Sequence, residues 1–317
     1  MGLFRGPPIR GEGGRGAPSP PGTGVLWHVS HGLVDSPRLS ERMTMSDTTD
    51  LYLDLLKKCL TRYAFPDHYR PVTGIEGLTK TRMLRLMQSA LALKNLALAR
   101  YVPFDPRARA EGLDRPPEAE TMVGLRRLDN LQDCISQVLQ DDVPGDLIET
   151  GAWRGGTAIF MRAVLKAYDD SERIVWVADS FEGLPRPSPD RYPADVNDRH
   201  WTQSTLVATL EDVKANFVRY GLLDDQVRFL VGWFKDTLPR APINQLAVLR
   251  LDGDMYESTM QGLEALYYKV SVGGFTIIDD YYTNEGCRLA VDDFREKEAI
   301  SYKVIQIDRN SVFWRKT

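Results

Sequence analysis

Residues 146–156 read DLIETGAWRGG: a short apolar run, an acidic residue, then glycines at 151, 155 and 156. The run Asp146–Thr150 suits an interior strand, and Gly151, Gly155 and Gly156 let the chain turn sharply off it and pass close to a ligand. Helical periodicity follows over Thr157–Tyr168. Strand, glycine turn and helix form the opening unit of a parallel α/β sheet. Downstream the pattern repeats. Further strands are expected at Ile174–Ala178, Gln226–Val231, Leu246–Leu251 and Gly274–Ile278, with helices over Leu206–Tyr220, Ser258–Tyr268 and Arg288–Glu298. Tyr302–Ile307 and Ser311–Arg315, joined by a tight Arg309-Asn310 connection, read as an antiparallel hairpin at one sheet edge. The expected fold is α/β: a seven-stranded, mostly parallel, Rossmann-like sheet with helices on both faces and its ligand at the C-terminal strand ends.

The glycine turn narrows the ligand. A dinucleotide-binding turn reads GxGxxG and seats a pyrophosphate on the helix N-terminus. Here the spacing is GxxxGG, and Glu149 stands two residues before the first glycine. A carboxylate there repels a diphosphate and suits a cationic amino-acid cofactor such as S-adenosylmethionine. Asp179, at the end of the second strand, can accept hydrogen bonds from both ribose hydroxyls, which supports a nucleoside without choosing between cofactors; a turn cap is its plainer reading.

Two acidic pairs separate the cases. The fourth strand ends Leu251-Asp252-Gly253-Asp254 and the fifth Ile278-Asp279-Asp280. Adjacent strand ends lie side by side, so four carboxylates can share one mouth, and unpaired carboxylates at close quarters require a cation. An all-oxygen ligand set favours a hard ion, Mg²⁺ before Ca²⁺ or Mn²⁺. His200, in a proline-rich loop over 185–201 that could close over the site, is a candidate base. Trp233, Phe234, Tyr256, Tyr281 and Tyr282 follow strand ends and can flank a ring.

Toward the N-terminus the composition changes. Residues 1–45 are rich in Gly, Pro and Arg and are expected to form a disordered tail. Residues 46–117 are expected to form a helical accessory region, with one short helix carrying Leu51, Leu53, Leu55, Leu56 and Leu60 and a longer one over Arg82–Tyr101. Residues 118–317 are expected to form the cofactor domain, entered by a helix over Thr121–Gln140. A formal charge of −4 over 317 residues excludes a dominant basic field, and so nucleic acid as the main partner. The separated Cys59, Cys134 and Cys287 fit reduced thiols in a cytoplasmic protein, and no apolar run is long enough to span a membrane.

The segments AETMVGLRRLDNLQ, GDLIETGAWRGG, VWVADSFEGLP, RYGLLDDQVRFLVGWFKDTLP, LRLDGDMYEST and GGFTIIDDYY resemble the macrocin O-methyltransferase family. The resemblance runs over 119–317, with LYLDLLKKCL from Leu51 added. It implies a class I methyltransferase fold, S-adenosylmethionine and Mg²⁺ as cofactors, and a hydroxylated, glycosylated small molecule as acceptor. By position it implies Asp252, Asp279 and Asp280 as Mg²⁺ ligands and Asp254 as general base, with His200 the weaker alternative. It places Glu149, Gly151 and Asp179 at the cofactor, together with the neighbouring Thr150, Gly155, Gly156, Thr157, Ser180 and Asp252. Gly232, Trp233 and Phe234 fall in the segment lining the adenine, and Met122 lies in one that approaches the cofactor. The region 79–117 departs from the family, which leaves the acceptor open. The rival readings are a nicotinamide-dependent dehydrogenase on the same sheet and a catalytically silent cofactor-binding protein; self-association into a homo-oligomer is open for this chain.

Overall fold

The computed structural model describes residues 45–66, 68–72 and 78–317. The expected tail lies outside these, save Met45, which opens helix α1 (Met45–Leu60). Leu53, Leu56 and Leu60 turn one face of α1 into the core, as their helical spacing requires. Leu51 and Leu55 stay exposed.

The next segment corrects the sequence reading. Instead of one helix over Arg82–Tyr101, α2 spans Leu78–Ala92. Asn95 then takes a left-handed φ of 54°, and β2 (Ala99–Val102) pairs antiparallel with β1 (His68–Pro71). The accessory region is therefore mixed, and α3 (Pro106–Ala110) closes it. Helix α4 runs over Leu125–Gln140 and starts later than expected. The residues before it serve the glycine turn, where the Gly156 N–H donates to the Glu120 carbonyl and the Thr121 and Thr157 hydroxyls meet at 3.2 Å.

From there the alternation holds. The elements are β3 (Asp146–Thr150), α5 (Gly156–Ala167), β4 (Val175–Asp179), α6 (Leu210–Arg219), β5 (Val227–Val231), α7 (Phe234–Thr237) and β6 (Leu246–Leu251). They continue with α8 (Tyr256–Leu266), β7 (Val270–Ile278), α9 (Glu285–Lys297), β8 (Ile305–Gln306) and β9 (Val312–Arg315). Helix α6 begins at Leu210 because the Thr209 hydroxyl caps the Asp212 N–H at 3.1 Å. The sheet order is β5-β4-β3-β6-β7-β9-β8, parallel except where β9 inserts antiparallel between β7 and β8. The hairpin connection is longer than a two-residue turn, because Asp308 accepts the Asn310 and Ser311 N–H groups and shapes residues 307–311.

Alternate residues of each strand feed opposite faces. Leu147, Val177 and Val248 join α1, α4 and α5 in one core, while Ile148, Ala178 and Leu249 join α8 and α9 in the other. With both faces covered by described residues, a ligand is expected at an end of the strands.

Candidate active site

The C-terminal ends of β3, β4, β5 and β6 open on a cavity of about 290 Å³. Its wall includes Met122, Gly151, Asp179, Ser180, Trp233, Phe234, Asp252 and Asp254, all singled out in the sequence. Gly151 is indispensable in shape. Its φ is +87°, and a Cβ there would sit 1.7 Å from the Asp252 carbonyl oxygen, so β3 and β6 touch through it. Asp179 does much of the turn's own work. One of its oxygens accepts the Ala152 and Trp153 N–H groups at 2.8 and 3.1 Å, and the other accepts Phe181 N–H at 2.8 Å. Burial pushes its carboxyl up, against those bonds.

Several expected residues stand behind the wall. Glu149 is 1% exposed and pairs with Arg250 at 2.5 Å. Burial pushes its carboxyl up to about 8, opposed by that arginine. Thr150 is buried in β3, and Thr157 is buried on α5. Gly155 and Gly156 start α5, and the Gly232 N–H bonds the Asp179 carbonyl. These residues shape the cavity without lining it.

At the β6 and β7 ends, oxygens of Asp252, Asp254 and Asp280 lie within 4.8 Å of one another. Asp254 joins Asp252 and Asp280 in this group, and Asp279, expected beside them as a third ligand, does not. The Asp279 carboxylate is instead gripped by two buried arginines, Arg250 on one oxygen and Arg127 on the other. Burial alone would raise its pKa, but Arg127 and Arg250 outweigh it and hold the group below the usual carboxylate range. Arg250 also reaches Asp252 at 2.9 Å, and Arg127 reaches Asp308 at 2.8 Å. Asp280 is pushed well up by burial and by the carboxylates of Asp254 and Asp252, and its Oδ2 is buried without a hydrogen-bond partner. Asp254 is pushed up to about 7 by burial and by Asp252. Three carboxylates held together with one oxygen unpartnered fit a divalent cation.

His200 hydrogen-bonds Asp198 through Nδ1 at 2.7 Å and does not line the cavity. Burial lowers its pKa, but the Asp198 hydrogen bond and the Asp254 charge outweigh that and raise it. Sequence reasoning missed Arg127 and Arg250 and the wall residues Trp153, Glu257, Ser258 and Gln261, whereas the loop expected over 185–201 lines the cavity with Pro185, Arg186 and Ser188. A charged residue inside the apolar run LAVLRL was the available signal for Arg250.

Residues 49–316 match the macrocin-O-methyltransferase (TylF) family. The chain belongs to the macrocin O-methyltransferase family. The match runs through 79–117, which the sequence motifs had left aside. The chain is 51% identical over 272 residues (86% of this chain, 94% of the relative) to the Streptomyces olivaceus 8-demethyl-8-(2,3-dimethoxy-alpha-L-rhamnosyl)-tetracenomycin-C 4'-O-methyltransferase. It is 45% identical over 278 residues (87% of this chain, all of the relative) to the Micromonospora griseorubida mycinamicin III 3''-O-methyltransferase. Among solved structures, the O-methyltransferase NovP superposes with a TM-score of 0.73 at 44% identity, covering 85% of this chain and 99% of that one. The protein is thus an S-adenosylmethionine-dependent O-methyltransferase, and the dehydrogenase and silent-binder readings fall. Among the described residues, no helix is long and apolar enough to cross a membrane.

Proposed function

We propose that this enzyme methylates a sugar hydroxyl of a glycosylated natural product, with Mg²⁺ held at the β6 and β7 ends. The observation that carries the reading is the convergence of Asp252, Asp254 and Asp280 beside the cofactor cavity. The rhamnosyl acceptor named for the Streptomyces olivaceus relative supports a sugar as the methylated group. S-adenosylmethionine supplies an electrophilic sulfonium methyl, and Mg²⁺, when bound, supplies a positive charge that favours the alkoxide form of the acceptor.

The chain's own residues do the rest. Asp252 and Asp280 hold the cation. Asp279 stands behind them, its charge shared with Arg127 and Arg250, and a carboxylate so engaged still has lone pairs to offer a metal. Asp254 takes the acceptor's proton, since it lies beside the ligands and its raised pKa suits a base near neutral pH. His200, held toward its charged form by Asp198, is the poorer acceptor. Asp179 and Ser180 meet the ribose, and Trp233 and Phe234 the adenine. Met122, Gly151 and Asp252 complete the cofactor wall, with Glu149, Thr150, Gly155, Gly156, Thr157 and Gly232 supporting the turns that form it. Alignment of the acceptor oxygen with the sulfonium methyl supplies much of the rate.

The free thiols Cys59, Cys134 and Cys287 support a cytoplasmic location. Exposed Leu51 and Leu55 on α1, with Met83 and Leu86 on α2, support self-association. The test of the acceptor class is methyl transfer from labelled S-adenosylmethionine across a panel of glycosylated macrolides, aminocoumarins and aromatic polyketides, with the aglycones as controls. Label on the sugar supports the reading; label on aglycone hydroxyls alone overturns it.

A further inference from the structure

The loop between β4 and α6 lines the cavity with Gly183–Arg186 and Ser188, and a buried aspartate farther along it reaches the opposite side of the site. Asp195 is 2% exposed. Its Oδ1 accepts the Tyr256 N–H at 2.8 Å and its Oδ2 accepts the Glu257 N–H at 2.9 Å, so it closes the first turn of α8 from outside that helix. Gly286, at the start of α9, leaves room for this approach, because a Cβ there would lie 2.8 Å from Asp195 Oδ1 and 3.0 Å from Tyr256 N. Without Asp195, neither amide would have an intrahelical acceptor. Met255, the N-cap of α8, has no side-chain hydrogen bond to offer them.

What precedes α8 is strained. Asp254 takes a φ of 57°, unusual for a residue with a side chain, and the Met255 N–H folds back on the Gly253 carbonyl at 2.6 Å. Such a backbone persists only where its surroundings over-determine it. On one side Asp252 is fixed by its N–H to the Thr150 carbonyl at 2.9 Å. On the other side the fixed point is the pair of amides held by Asp195.

We infer that Asp195 is a positioning residue: by pinning the start of α8 it holds Asp254 among the carboxylates and ties that geometry to the seating of the cavity loop. The loop and Asp254 then move as one unit. Loosening the loop at Asp195 frees the Asp252–Glu257 turn, and the carboxylate cluster loses its shape. The inference rests on the reading of Asp254 as base for its catalytic meaning, while the mechanical coupling is measured independently of turnover.

The experiment compares Asp195→Asn and Asp195→Ala with the wild-type full-length chain. Hydrogen exchange by mass spectrometry follows 183–201 and 253–259, calorimetry measures S-adenosylhomocysteine, and electron paramagnetic resonance measures Mn²⁺. Exchange is expected to rise together in both segments, at least tenfold at the start of α8. Mn²⁺ affinity is expected to fall about tenfold with a changed line shape, while S-adenosylhomocysteine affinity stays within about threefold; small misplacements at a site have large effects. Asn keeps one acceptor and should fall between Ala and wild type. Faster exchange confined to 183–201, with Mn²⁺ binding unchanged, overturns the inference. Failure of both variants to fold overturns it as well, making Asp195 a core element rather than a positioning one. If Asp254→Asn turns over like wild type while the coupling is seen, the base assignment fails and the coupling stands.

Discussion

Replacing Arg250 by Met keeps most of the buried stem and removes the charge that three strand ends share. In the wild-type protein this side chain is 2% exposed, with Nη1 at 2.5 Å from Glu149 and 2.9 Å from Asp252 and Nη2 on Asp279. Glu149 and Asp279 are themselves only 1% and 5% exposed. Met leaves these carboxylates facing one another without their shared cation, and breaking a buried ionic network from one side costs about 3–5 kcal/mol. A chain of this size loses roughly 1.5–2 °C of melting temperature per kcal/mol. The expected drop by scanning fluorimetry is therefore roughly 5–10 °C. Saturating Mg²⁺ should recover part of it, because a ligand at a hundred times its Kd stabilises by about 2.7 kcal/mol. Mg²⁺ should raise the variant's melting temperature more than the wild type's. A drop below about 2 °C, or equal Mg²⁺ stabilisation of both proteins, would refute the view that Arg250 neutralises this cluster.

Other outcomes follow from the same structure. Asp254→Asn should keep S-adenosylhomocysteine affinity and lower turnover by roughly 10²–10⁴-fold, measured on the best acceptor of the panel; turnover near wild type at saturating Mg²⁺ rejects the base assignment. Gly151→Ala puts a Cβ against the Asp252 carbonyl at a positive φ, so it should cost more than about 1 kcal/mol in urea unfolding and weaken S-adenosylhomocysteine binding at least tenfold. Asp224 has its pKa lowered by its bond to Arg162, whose Nη2 is 2.7 Å away. Its contribution is complete above the ordinary carboxylate pKa and fades as pH falls through the lowered one, so the melting difference between Asp224→Asn and wild type should be present at pH 7 and shrink steadily below about pH 4.

The parallel sheet was legible because its strands are short apolar runs bounded by glycines and acids, a pattern set by burial on both faces. The accessory region was not. Arg82–Tyr101 has helical composition, yet residues 99–102 are drawn into a strand by pairing with His68–Pro71, a partner with no strand pattern of its own; long-range pairing overrode local propensity. The carboxylates of Asp252, Asp254 and Asp280 could be placed from strand-end logic alone. Which of the four aspartates would be claimed by arginines could not, because Arg127 comes from α4 and reads in sequence as an ordinary polar helix residue. Asp195 was equally silent, one aspartate in a polar loop, until the fold brought it under α8.

Methyl transfer by this enzyme is expected to need a divalent cation at Asp252 and Asp280. The direct measurement is the initial rate of S-adenosylhomocysteine formation with the best acceptor, after EDTA treatment and across a Mg²⁺ titration. The expected result is loss of turnover in EDTA, recovery with Mg²⁺, and no recovery for Asp252→Ala or Asp280→Asn even though both still bind S-adenosylhomocysteine. Full turnover in the metal-free enzyme would contradict it.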